Sequence, residues 1–198
     1  MPETHLASIG ETMAVDICRR VQVEKSARKL LGEKLTALQF VQTLVDAGHF
    51  SDATRIMAYL LPVRDAIWWA IQSARQNPPR NAEPEVELAL AAAEEWVRKM
   101  SEESRYGAQT AAEAAGLGTA SGCAAMAAFT SGRSLASPDQ PAVPPDPALA
   151  PQLVSASIIA SALLPNPAEA AERYRIFLQQ GIELYRASRA DGPEERSA

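Results

Sequence analysis

Reactive side chains are scarce in this sequence: two cysteines, Cys18 and Cys123, and two histidines, His5 and His49. Cys123 stands near the start of an expected helix, where the positive end of the helix dipole favours a thiolate, and His49 is a base that would complete a nucleophilic pair. The run Gly122-Cys123-Ala124-Ala125-Met126-Ala127-Ala128-Phe129 instead describes a small residue wanted in a core. Two histidines cannot build a multi-histidine metal site, and the two cysteines fit no ligand spacing. Glu94, Glu95, Glu102, Glu103 and Asp65 supply carboxylates, but nothing pairs them for acid–base work. Glu102 and Glu103 follow Ser101 as first-turn residues of a helix do. The glycine run from Gly116 to Gly122 has the freedom of an anion cradle, but no strand precedes it and no Gly-Lys-Ser/Thr follows. A tight turn between helices is the plainer reading. No catalytic residue, no metal and no cofactor are expected.

One cluster stands out. Leu60-Leu61-Pro62-Val63-Arg64-Asp65-Ala66-Ile67-Trp68-Trp69-Ala70 carries two of the three tryptophans beside an adjacent arginine and aspartate. Pro62 suits the first turn of a helix. On that helix Arg64 faces Trp68 and Asp65 faces Trp69 at four-residue spacing. Adjacent indoles point about 100° apart, so both cannot sit centrally in one narrow stripe. One is expected to be buried between helices and the other to border a groove, with the Arg64 guanidinium beside the Trp68 ring. Arg64, Asp65, Trp68 and Trp69 are therefore the candidate partner-binding residues. Interfaces are enriched in arginine and tryptophan.

Composition frames these residues. The chain has 198 residues, 47% of them hydrophobic with alanine prominent, and only 6% aromatic. Alanine favours helix and adds little volume, so closely packed helices are expected. A net charge of -5 without a basic stripe speaks against nucleic acid as a partner. No run approaches the roughly 18 apolar residues of a membrane span. Met1-Pro2-Glu3-Thr4-His5 carries an acid where a secretory leader carries a base. Together with unpaired cysteines, this leads to the expectation of a cytoplasmic protein.

Helical periodicity recurs along the chain. One or two short helices are expected over 11–31, and Leu38, Val41, Leu44 and Val45 form a stripe closed by Gly48. Ser51 would cap the next helix. The tryptophan helix should stop near Gln76, before Asn77-Pro78-Pro79. A long helix begins at Pro84, with Arg98 and Lys99 at its end as the dipole prefers. Another spans Glu102 to Ala115, and Thr119 or Ser121 caps the helix that ends near Phe129. Six of the 14 prolines fall within 130–151, which makes that stretch an extended strap across the helices. Two last helices are expected from Pro151 to Leu164 and from Pro167 to Arg186. Gly181, which costs an interior helix about 1 kcal/mol against alanine, marks a close approach of another helix. Residues 187–198 read as a flexible tail. The fold class is all-α: one domain over 1–198, an irregular bundle of about eight to ten helices, with a short α-solenoid as the alternative.

The tryptophan segment, Ala127-Ala128-Phe129 with Ser131-Gly132-Arg133-Ser134-Leu135, the proline strap and the closing Arg173-Tyr174-Arg175-Ile176-Phe177-Leu178-Gln179-Gln180-Gly181 together resemble an uncharacterised bacterial family. The similarity runs from about residue 34 onward, and related sequences carry a tryptophan where this one has Thr130. The resemblance implies an association with type VI secretion gene clusters and supplies no catalytic residues. The expected function is a non-enzymatic protein-interaction module, an adaptor or chaperone-like accessory with a protein partner. The alternative is a small-ligand binder or enzyme with a cleft beside Arg64, Asp65 and Trp68.

Overall fold

Side chains mark the ends of the helices. Thr36 opens α3 (Ala37–Asp46) with a reciprocal box: its hydroxyl accepts from the Gln39 N–H at 3.2 Å, and the Gln39 side chain accepts from the Thr36 N–H at 2.9 Å. Ser101 does the same for α7 (Glu102–Ala115), with Ser104, not a glutamate, as its partner. The Thr119 hydroxyl accepts from the Gly122 N–H to start α8 (Ala120–Thr130). Pro62 lies one residue before α5 (Val63–Gln76), and Pro84 is the first residue of α6 (Pro84–Lys99), where a missing N–H leaves no bond unmade. The expected cap at Ser51 is not made. α4 (Phe50–Leu60) already includes Ser51, whose hydroxyl meets the Tyr174 hydroxyl at 3.3 Å.

The computed structural model describes residues 12–78 and 83–190. Ahead of α3 lie two single-turn helices, α1 (Ala14–Ile17) and α2 (Lys25–Arg28), and an isolated bridge between Met13 and Thr36. After the proline segment come α9 (Leu149–Leu163), a 3-10 turn at Pro167–Glu169 and α10 (Ala170–Ala190). α9 begins two residues before Pro151, which therefore sits in the first turn, where it is tolerated. The fold is an all-α multi-helix bundle with ten helices among the described residues. The tail expected over 187–198 is helical as far as Ala190, and its remainder lies outside the described residues.

Two helices occupy the middle. α5 packs against α6, α8, α9 and α10, and α9 packs against α4, α5, α8 and α10. On one side lie α3, α4 and α10, and on the other α6, α7 and α8. The helices that follow the proline segment thus return to those that precede it, and the segment lies across the bundle. α8 carries no charge in Ala-Ser-Gly-Cys-Ala-Ala-Met-Ala-Ala-Phe-Thr, and nearly its whole circumference is buried. An uncharged helix is stable in that place because it needs no face for water. The largest fully buried side chains include Trp69, Phe40, Phe177, Ile67 and Ile158.

One non-glycine residue among the described residues has a positive φ. Met100 closes α6 in the left-handed region, φ 48°, with its side chain 53% exposed. An L side chain costs about 1–2 kcal/mol there, and glycine avoids this at an entropic cost of about 0.5–1 kcal/mol. Met100→Gly is therefore expected to stabilise the fold by about 0.5–1 kcal/mol in urea unfolding. A loss of stability would show that the exposed thioether packs on something essential.

Candidate interaction cleft

The tryptophan helix divides its residues among three neighbours. Trp69 is fully buried and its Nε1–H donates to the Phe177 carbonyl of α10 at 2.7 Å. The indole lies in the notch at Gly181, where a Cβ would come within 2.9 Å of two ring carbons and 3.1 Å of Met57 Cγ. The close approach expected at Gly181 is thus made by a tryptophan rather than a helix backbone. Trp68 is half-buried against the core. Arg64 turns the other way: its Nε–H donates to the Val97 carbonyl at 2.8 Å, in the last turn of α6. A guanidinium there satisfies a carbonyl that the helix cannot and complements the dipole.

The expected stacking of Arg64 on Trp68 does not occur. Among the described residues the arginine–ring contacts are those of Arg105 with Tyr106 and Phe129, and of Arg175 with Phe50. Asp65, half-buried, occupies the first turn of α5, where a carboxylate is favourable. The four candidate residues do not form one surface. Trp69 cannot touch a partner without unfolding, because the core encloses it completely.

The opening beside α5 lies on a different face. Val63 and Ala66, with Leu61 and Ala58, form one wall of a cleft of about 450 Å³, and the strap prolines Pro144, Pro145 and Pro147 form the other. The C-terminus of α8, from Thr130 to Arg133, closes one end. The walls are mostly apolar; Arg133 is exposed at the closed end, and the other polar side chains serve local backbone. The Thr130 hydroxyl donates to the Met126 carbonyl at 2.9 Å and the Ser131 hydroxyl to the Ala128 carbonyl at 2.7 Å. The Asp146 carboxylate accepts from the Ala148 N–H at 2.8 Å. Thr130 therefore lines this cleft with its hydroxyl turned back to its helix.

Arg105 anchors the end of α8 that closes the cleft, and sequence reasoning overlooked it. Its side chain is 2% exposed, and the guanidinium donates to both oxygens of Glu102, at 2.9 and 2.7 Å. It also donates to the Phe129 carbonyl ending α8 and to the Ser134 carbonyl opening the strap, both at 2.9 Å. The rings of Tyr106 and Phe129 flank it, and Tyr106 donates its hydroxyl to the Ala136 carbonyl at 2.7 Å. Gly132 is required beside it, since a Cβ there would fall 2.4 Å from Arg105 Cδ. The hydrogen bond from Arg105 holds the Glu102 carboxyl below the usual carboxylate range. The available signal was a Glu102–Arg105 pair at i, i+3 on the face that continues with Ala108 and Ala112, but such pairs usually lie in water.

Elsewhere, burial decides the chemistry. Cys123 donates its thiol to the Leu117 carbonyl at 3.1 Å, and desolvation pushes its pKa up despite the helix start. A protonated thiol is a poor nucleophile. Glu24, His49 and Asp52 bring ligand-type atoms within 4.8 Å of one another. Asp52 Oδ1 already accepts from the Glu24 N–H and pairs with Arg55 at 3.0 Å. That cation and the positive end of α4 both oppose a metal ion. At the glycine run, the Gly116 carbonyl lies so close that a Cβ on Gly122 would meet it at 2.1 Å, so the chain itself fills the cradle. No single helix among the described residues is long and apolar enough to cross a membrane.

A family model matches residues 40–185, the span that holds both cleft walls, Arg105 and the Trp69–Gly181 contact. The chain belongs to a family of unknown function (DUF6931). The family span runs from within α3 to within α10 and leaves out α1 and α2. No curated protein and no solved structure matches the chain.

Proposed function

We propose that this protein is a non-enzymatic protein-interaction module that takes an apolar segment of a partner into the cleft beneath the proline strap. The observation that carries this reading is the state of the polar groups there. Thr130, Ser131 and Asp146 are each bonded to local backbone, which leaves a mostly apolar slot with the exposed Arg133 at one end and without a nucleophile or a converging donor set. Prolines on one wall keep the slot open, since their φ is fixed and they lose little freedom when a guest arrives. The sequence resemblance supports the finer placing, an adaptor or chaperone-like accessory of a bacterial type VI secretion system working in the cytoplasm. An acidic chain, pI about 5.2, fits a protein partner better than a nucleic acid.

The cleft volume also suits a small apolar ligand, because such pockets hold about 300–1,000 Å³. One variant separates the two readings. Val63 is 39% exposed at the cleft wall, so Val63→Glu should leave the melting temperature unchanged. Affinity purification from the native cell is expected to recover a partner with the wild type and lose it with Val63→Glu. Identical recovery with both proteins would contradict the reading. A co-purifying small molecule lost in the variant, with no protein, would favour the ligand binder.

A further inference from the structure

α8 and α9 are both uncharged, and α8 is enclosed, yet α9 leaves a face open. Along α9, Gln152, Ala156 and Leu163 are exposed and Ile159 and Ala160 half-buried, a spacing that puts them in one line. That line forms the floor of a groove of about 710 Å³, walled on the other side by α4 and by the loop after α1. The lining holds two arginines, Arg20 and Arg55, and no carboxylate, in a chain whose net charge is -5. Buried Asp52 braces Arg55 at 3.0 Å. The Arg20 guanidinium has neither an ion pair nor a hydrogen bond among the described residues, and its side chain is exposed. No residue lines both this groove and the cleft beneath the strap.

We propose that this groove is a second docking site, and that its occupant is an acidic amphipathic helix of a partner protein. An uncharged floor that is apolar at Ala156, Ile159, Ala160 and Leu163 asks for an apolar stripe, and a wall whose charged groups are both cations asks for carboxylates along one flank of that stripe. From Gln152 to Leu163 the floor runs about 17 Å, which three helical turns of a guest cover. Alanines at 156 and 160 let the guest's ridge settle between the turns of α9. The site goes beyond the cleft and does not depend on it.

The test uses the full chain and three synthetic helices of about four turns with the same leucine stripe. One carries glutamates on its flank, one lysines and one glutamines. Fluorescence anisotropy is expected to show the glutamate peptide binding at least about tenfold more tightly than the lysine peptide, with the difference shrinking in salt. Arg20→Glu and Ala156→Glu, both at exposed positions, should keep the melting temperature and each lose about tenfold for the glutamate peptide. Val63→Glu should leave that affinity unchanged, so failure here is distinguishable from failure of the cleft. Amide shifts on titration should centre on Ala156, Ile159 and Ala160. Equal binding of the three peptides, no binding, or indifference to both groove variants would overturn the proposal. So would loss, in Arg20→Glu, of binding to phosphatidylglycerol vesicles while peptides bind equally, which would identify a membrane surface instead.

Discussion

Trp69→Ala is expected to destabilise the fold by about 3–5 kcal/mol, because it empties the largest fully enclosed side chain and leaves a cavity that helices cannot close. Trp69→Phe separates two parts of that effect. The ring keeps much of its volume, but the 2.7 Å bond to the Phe177 carbonyl is lost, at about 1 kcal/mol. Gly181→Ala supplies the complementary measurement. Alanine should help a helix by about 1 kcal/mol. Here its Cβ would press on two Trp69 ring carbons at 2.9 Å, and overpacking costs about 1–3 kcal/mol or more. A net loss is expected, and part of it should be relieved when Gly181→Ala is combined with Trp69→Phe. Urea unfolding of the four proteins gives the coupling directly. A stabilising Gly181→Ala would show that the notch is not filled by the indole.

Arg105→Met should cost about 3 kcal/mol, from two carbonyls, Phe129 and Ser134, that lose their donor at about 1–3 kcal/mol each. The length of methionine keeps the stem packing against Tyr106 and Phe129, so the loss reports hydrogen bonds rather than volume. The strap should loosen first, seen as faster amide exchange around Ser134 and Ala136 than in the helices. Glu102→Gln is expected to cost well under about 1 kcal/mol, since its side chain is 70% exposed. The sign of its pH effect follows from the depressed pKa in the fold. Its contribution is present above the unfolded-state pKa and is lost as the pH falls through the lower folded value. Equal losses from Arg105→Met and Glu102→Gln would mean that the ion pair, not the carbonyls, matters.

Local spacing carried the helix boundaries well, because caps and breakers act within a few residues. α6 begins at Pro84, α7 spans Glu102 to Ala115, and Gly48 adopts a positive φ of 78° after α3. The site was less legible for the same reason. Four-residue spacing placed Arg64 against Trp68, its neighbour along the helix, whereas its partner is a carbonyl 33 residues later in the chain. Trp69 and Gly181 were each singled out, but only the fold shows that they meet. Arg105 was passed over, because a Glu–Arg pair at i, i+3 is ordinary on a surface and only the end of α8 and the strap, closing over it, give it a role. The cleft is made mostly of alanines, valines and prolines, with a few scattered polar residues from distant parts of the chain, so no motif announces it.

The most direct test of the docking cleft is site-specific photocrosslinking in the native cell. A photoreactive phenylalanine analogue would replace Val63 in the cleft wall in one protein, and exposed Leu88 on α6 in another. Both positions accept a large side chain without disturbing the core. The account predicts a reproducible crosslink to one partner protein from position 63, lost when unlabelled wild-type protein competes, and none to that partner from position 88. Crosslinks of equal yield from both positions, or none from position 63, would contradict it.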